Sequence, residues 1–259
     1  MSVLDRIVEA TRDEVRRRSR EIPLAELQAQ VGGREDRPFS EALIRPGVSV
    51  IAEHKRRSPS AGDIRPGSTV AEIVGAYERA GAAALSILTE GPHFGGSLED
   101  LRDARAASDL PILRKDFIVD PYQVYETAAW GADALLLIVA ALEPSEIAEL
   151  HALARQLDLD VLVEVHDEAE LERVLPLGPT LVGVNQRDLV TFEVDTARAV
   201  RVAPLLHPGA VKVAESGIRG PADAAVLAEA GYHAVLVGEH LVTSGDPGES
   251  VAALRHPRR

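Results

Sequence analysis

The stretch AGAAALSIL, Ala80 to Leu88, closes a helix-like segment on a glycine, passes through small residues and becomes an apolar, strand-like run. The same succession recurs at Trp130 to Ile138 (WGADALLLI) and at Ala230 to Gly238 (AGYHAVLVG). Glycine after a helix supplies the left-handed cap that turns the chain. Short apolar runs alternating with longer amphipathic ones are the mark of repeated βα units. Working outward from these three phrases, the pattern predicts strands at Val48 to Glu53, Ala84 to Leu88, Ile112 to Arg114, Ala134 to Ile138, Asp160 to Val165, Leu181 to Val184, Val211 to Glu215 and Ala234 to Val237. Helical stretches separate them, and Pro121, Pro144 and Pro221 suit a first helical turn. Eight such units over roughly 210 residues fit an α/β (βα)8 TIM barrel better than a doubly wound sheet. Closure itself leaves no mark in a sequence.

Before the first strand, Ser2 to Arg20 offers Ser2 as an N-cap, Asp5 in the first turn and a stripe of Leu4, Ile7, Val8 and Val15. A short helix is expected at Leu24 to Val31, ended by Gly32-Gly33. The expected organisation is a single domain over 1–259: a helical extension, 1–45, capping a barrel over 46–259. A plain packing role over one end of the barrel accounts for the extension without any function.

Lys and Arg total 28 against 41 Asp and Glu, a net charge of -13. That field disfavours non-specific binding to nucleic acid and to anionic membranes. An anionic substrate must then be held by local donors. With no cysteine, disulfides and thiolate chemistry are excluded. The start MSVLDRIVEATRDE lacks the apolar core of a signal peptide, so a cytoplasmic location is expected. The longest apolar stretch, Ala134 to Leu142, is far short of the ~20 residues of a membrane span.

Active sites of such barrels lie at the C-terminal ends of the strands. There the sequence places Glu53 and Lys55, Thr89-Glu90, Arg114-Lys115-Asp116, Glu164, Asn185 and Arg187, Glu215-Ser216-Gly217 and Gly238, while the fourth strand ends in an apolar wall. Each residue alone has the ordinary explanation of a solvated strand end or a structural ion pair. Together, three carboxylates and two lysines at one mouth shift one another's proton affinities, which acid–base catalysis requires. The segments Ser216-Gly217-Ile218 and Gly238-Glu239-His240 occupy the usual phosphate-binding loops, with an ordinary tight turn as the alternative. No HxH or HExxH spacing occurs, and a metal site is not expected; His166 beside Glu164 comes nearest to a ligand pair. No glycine-rich nucleotide motif follows a strand, so no cofactor is expected.

The segments IAEHKRRSPSAG, LTEGPHFGGSLEDL, PILRKDFIVDPYQVYE, LLLIVAAL, LVEVH, VGVNQRDL, VAESGI and VLVGEHL resemble, block after block from Ser2 to Leu254, the indole-3-glycerol phosphate synthase family. The resemblance implies ring closure of 1-(2-carboxyphenylamino)-1-deoxyribulose 5-phosphate to indole-3-glycerol phosphate in tryptophan biosynthesis, with loss of carbon dioxide and water and no cofactor. It implies Lys115 as general acid at the ketone and Glu164 as partner in proton transfer. Lys55 would contact substrate and Glu53 would orient it; which residue carries the second proton transfer stays open. Asn185 and Arg187 would position substrate, Glu215 and Ser216 belong to the pocket, and Ser58, Ser216, Gly217 and Gly238 form the phosphate end. A phosphorylated small molecule is the expected partner of a monomer, with association with other tryptophan-pathway enzymes open. One departure is Ala61, where the family often carries lysine. The alternatives are phosphoribosylanthranilate isomerase, which uses a cysteine this chain lacks, and a non-catalytic sugar-phosphate-binding barrel, which has no need of Lys115, Glu164 and Glu53 together.

Overall fold

The structure is a computed structural model that describes residues 2–32, 35, 37–58, 62–63, 67–243 and 245–255. Its eight parallel strands are β1 (Ser49–His54), β2 (Ala84–Leu88), β3 (Ile112–Lys115), β4 (Ala134–Ile138), β5 (Asp160–Val165), β6 (Leu181–Asn185), β7 (Val211–Glu215) and β8 (Ala234–Val237). Each pairs with its sequence neighbours, and β1 closes the barrel by pairing with both β8 (Ser49 opposite Ala234) and β2 (Ile51 opposite Ala84). Five of the strands begin and end where the apolar runs predict. β3 and β6 each run one residue further, so Lys115 and Asn185 are carried by regular strand rather than by loop.

Alternation along buried strands builds two cores. Val50, Ala52, Leu85 and Leu137 face outward and pack under the helices. Ile51, Leu113, Leu136, Leu162 and Leu236 face inward and fill the barrel. The same alternation corrects one expectation: Arg114, adjacent to Lys115, turns outward and away from the mouth. It is wholly buried, donating to Thr89 Oγ1 (3.1 Å), the Gln123 carbonyl (3.0 Å), Asp116 Oδ2 (2.8 Å) and Glu126 Oε2 (3.2 Å). Glu90 likewise serves its own loop, accepting from the His93 and Phe94 N–H groups.

Helices α1 (Val3–Glu21), α2 (Leu24–Gln30) and α3 (Phe39–Ala42) precede the barrel. Ser2 and Asp5 close a reciprocal capping box at the start of α1. Arg12 of α1 reaches the Val119 carbonyl (3.3 Å) and Glu146 (2.9 Å), and Arg18 grips Glu126 through two bonds of 2.7 and 3.0 Å. α1 therefore lies along the loops that follow β3 and β4. The α3 turn sits at the other end: Phe39 and Leu43 are fully buried in the barrel-interior core, and the Ser40 N–H donates to Asp160, the first residue of β5 (2.8 Å). Residues before β1 thus touch both ends of the barrel.

The outer helices are α4 (Val70–Arg79), α5 (Leu98–Ala107), α6 (Pro121–Ala129), α7 (Pro144–Gln156), α8 (Glu168–Val174), α9 (Arg198–Val202), α10 (Pro221–Glu229), α11 (Glu239–Thr243) and α12 (Pro247–Arg255). After β1 the chain carries a small antiparallel hairpin pairing Arg57–Ser58 with Gly62–Asp63, too short to show in the sequence pattern. Among the described residues no helix is long and apolar enough to cross a membrane.

Candidate active site

At the C-terminal end of the barrel lies a cavity of about 380 Å³, and all the residues assigned to the site by the resemblance except Ser58 line it. Its floor is set by strand register. Glu164 lies opposite Gly183, and Asn185 opposite Glu215, so the carboxylates of β5 and β7 converge across β6. Lys115 reaches between them from β3, its Nζ 2.8 Å from Glu164 Oε2 and 3.0 Å from Glu215 Oε2. Gly183 makes this convergence possible. A Cβ there would overlap Glu215 Oε1 and stand 3.3 Å from Leu162 Cδ1.

The two carboxylates are inequivalent. Burial opposes the charge of both. On Glu164 this is outweighed by Lys115 and His166 nearby and by hydrogen bonds from Lys115 and from Asn185 Nδ2 (3.2 Å), which hold it well below the usual carboxylate range. Glu215 has only Lys115 in opposition to burial, with Glu164 adding to the upward push, and it is raised to about 8. Its Oε1 has no hydrogen-bond partner among the described residues. Burial also works against the charge on Lys115, yet the flanking carboxylates dominate and its proton is held more tightly than usual. These opposed shifts favour an ammonium flanked by an ionised Glu164 and a protonated Glu215.

A second pair stands at the end of β1, where Lys55 Nζ lies 2.9 Å from Glu53 Oε1. Gly238 gives them room: a Cβ there would overlap Glu53 Oε1 and come 3.0 Å from Lys55 Nζ. On the rim, Arg187 contacts Glu239 (3.3 Å) and the Phe192 carbonyl (3.3 Å), so Glu239 of the eighth loop is turned sideways to an arginine. Ser216 and Gly217 both have positive φ, 65° and 71°, a strained choice for serine that points to a constraint in this loop. Gln186 Nε2 secures it by donating to the Ser216 carbonyl (2.8 Å). The Ser58 backbone belongs to the hairpin; its side chain, with Ala61 and the rest of 59–61, lies outside the described residues.

The fourth strand supplies Ile138 to the apolar wall expected of it, but the aromatic part of that wall was not anticipated from sequence. Three of the four phenylalanines in the chain, Phe94, Phe117 and Phe192, line the cavity together with Leu88, Ile138 and Leu236. A low aromatic content hid their concentration at one place. Among the described residues no three His, Asp or Glu side chains converge as metal ligands; His166 turns its Nδ1 to Glu170 (3.0 Å).

A closed barrel that sets a lysine between two unlike carboxylates, with a second Lys–Glu pair across an apolar slot, has the architecture of a (βα)8-barrel enzyme and groups suited to proton transfer. Among solved structures, thiamine phosphate pyrophosphorylase from Pyrococcus furiosus shares the fold, with a TM-score of 0.61 at 16% identity over 84% of this chain and 96% of that one. The family model for indole-3-glycerol phosphate synthase matches residues 4–254. Proteins named indole-3-glycerol phosphate synthase from Nocardioides sp. (strain ATCC BAA-499 / JS614) and Parafrankia sp. (strain EAN1pec) are 52% and 50% identical over 255 residues, covering 97% and 98% of this chain and 97% and 95% of theirs. The chain belongs to the indole-3-glycerol phosphate synthase family, carboxy-lyases of tryptophan biosynthesis. Neither the isomerase nor the non-catalytic barrel is the family matched.

Proposed function

We propose that the cavity binds 1-(2-carboxyphenylamino)-1-deoxyribulose 5-phosphate with its ring in the phenylalanine-lined slot and its ketone oxygen at Lys115 Nζ. The observation that carries this reading is Lys115 held between Glu164 and Glu215 under that slot. The ring carbon bearing the carboxylate attacks the ketone carbon, and the ketone oxygen takes a proton from Lys115. A lysine bound to two carboxylates is a weak acid. The entering oxygen must displace one of them to make the ammonium a competent donor.

Loss of carbon dioxide then returns the electron pair to the ring and restores aromaticity. In the last step the new hydroxyl leaves as water while the neighbouring CH2 carbon, which links it to the amine nitrogen, loses a proton to form the ring double bond, and the indole keeps its N–H. Glu164, ionised at neutral pH, suits the removal of that proton. The departing hydroxyl needs a donor, and Lys55 with Glu53 and the protonated Glu215 both stand at the cavity.

Arg187 and Asn185 position the substrate, and its phosphate lies at the loops after β7 and β8, against Ser216, Gly217 and Gly238, with Ser58 assigned to the same end. The geometry adds a condition for Gly238, since its missing Cβ also accommodates Glu53 and Lys55. Residues 1–259 act as one domain, with 1–45 an extension bracing the loops after β3 and β4. The enzyme is taken as a cytoplasmic monomer whose chemistry needs no partner beyond its substrate; sedimentation of the purified protein alone and with other tryptophan-pathway enzymes tests this. The proposal for the site is tested by following indole fluorescence from the purified protein and the carboxyphenylamino substrate. Tight binding without turnover would refute the assigned chemistry.

A further inference from the structure

His166 lies one residue beyond β5 and takes no part in the steps above. Its ring is buried between the barrel mouth and α8. On the α8 side, Nδ1 is 3.0 Å from Glu170 Oε2, and the same oxygen accepts the backbone N–H of His166 at 2.8 Å. On the other side, Nε2 stands 3.4 Å from Glu164 Oε1, the oxygen that also accepts from Asn185, and makes no hydrogen bond among the described residues. A buried imidazole nitrogen that stands 3.4 Å from a carboxylate oxygen without a hydrogen bond is costly unless its charge serves that carboxylate.

The charged groups around the ring come from several elements. Glu164 faces it from β5, Glu170 from α8 and Glu215 from β7, while Lys115 stands behind Glu164 on β3. Three carboxyl groups thus surround two basic sites. One excess negative charge remains if all are ionised and both bases protonated, and Glu215, with its unpartnered oxygen, is the group placed to hold the balancing proton. Burial lowers the proton affinity of His166, but Glu170 and Glu164 outweigh it and the net direction is upward.

We propose that His166 is a positioning residue: as an imidazolium anchored by Glu170, it keeps Glu164 ionised and turned toward Lys115. The acid–base machinery then extends as a line, Glu170 to His166 to Glu164 to Lys115, from the half-buried start of α8 into the cavity. This rests on the reading of Glu164 as a group that must be ionised to work. The role of His166 is to set that ionisation without touching the substrate.

Two measurements separate this proposal from the reading beneath it. In the unliganded protein, the titration of the His166 ring followed by NMR should have its midpoint above that of an ordinary histidine, and the midpoint should fall in both Glu170→Gln and Glu164→Gln. A midpoint that ignores Glu164→Gln overturns the proposal, whatever the enzyme does. In steady state, His166→Gln removes a neighbouring positive charge, so Glu164 should protonate at higher pH and the acidic limb of the kcat profile should move up by about one pH unit. The rate at neutral pH should fall by on the order of tenfold while KM stays within about threefold. Glu170→Gln retains an oxygen for the His166 N–H and should move the limb in the same direction by less. Limbs that superimpose on wild type in both variants, or a loss confined to KM, overturn the proposal. A Glu164→Gln enzyme with the full rate would instead strike the reading of Glu164, and the positioning role would fall with it.

Discussion

Gly183→Ala probes the site through a single methyl group. The added Cβ would fall inside the 3.4 Å at which ordinary contact begins, overlapping Glu215 Oε1 and crowding Leu162. Glycine at this strand position has no turn to make; its backbone is regular β6 and its residue is fully buried. The methyl therefore acts chiefly on the carboxylate, which must withdraw by roughly 1 Å, enough to break its 3.0 Å contact with Lys115. Displacement on this scale in a catalytic centre costs about a hundredfold. We expect kcat to fall by about that factor, with KM changed little, in an assay following indole fluorescence over a range of substrate. Circular dichroism and urea unfolding should show a folded barrel weakened by overpacking of about 1–3 kcal/mol. A variant that folds and keeps kcat within twofold of wild type would refute the claim that Glu215 must stand where it does.

Lys115→Ala should lower kcat by about 10²–10⁴, as for loss of a positioned acid; a near-wild-type rate in the same assay would remove Lys115 from the chemistry. Burial and the nearby Glu164 push Glu215 up to about 8 from an ordinary value of 4.5, so its contribution to stability is complete below about 4.5 and is lost as pH rises through about 8. Urea unfolding of wild type should accordingly weaken relative to Glu215→Gln between pH 6 and pH 9, and parallel curves would contradict the protonated form. Arg114→Leu strands Asp116 and half of the Glu126 network in the interior, and should cost about 3–5 kcal/mol in urea unfolding; a loss below 1 kcal/mol would show the cluster relaxes. Inorganic phosphate should raise the apparent KM without changing kcat if the loops after β7 and β8 hold the phosphate. Bulky replacement of Gly217, whose Cβ would come 2.6 Å from Val194 Cγ1, should weaken that competition, and unchanged inhibition would move the phosphate elsewhere.

Most of the barrel was legible because parallel strands buried on both faces read as short apolar runs between longer amphipathic segments. What escaped was small or sideways. The hairpin at Arg57–Ser58 and Gly62–Asp63 has two residues a side, too few to show a period, and α11 has five residues with one turn to declare itself. Helix α9 covers only Arg198–Val202, since Asp195 first accepts the Ala197 N–H in a turn. Site residues at strand ends could be gathered from sequence because strand number fixes which end they occupy. The direction of a side chain there depends on a one-residue parity, which is why Arg114 was grouped with Lys115 although it faces the helices. Gly183 and His166 were missed as working parts for another reason. A glycine in a strand and a histidine after one carry no chemical pattern until register brings Glu215 against the first and Glu164 and Glu170 against the second.

The central claim is that one lysine, set between an ionised and a protonated carboxyl group, starts the reaction. Single-turnover reaction of purified enzyme with the carboxyphenylamino substrate, in the presence of EDTA, tests it most directly when wild type and Lys115→Met are compared at equal occupancy. We predict that wild type forms the indole product and carbon dioxide in equal amounts, while the folded variant binds substrate and forms neither. Equal release of carbon dioxide by the variant would contradict it.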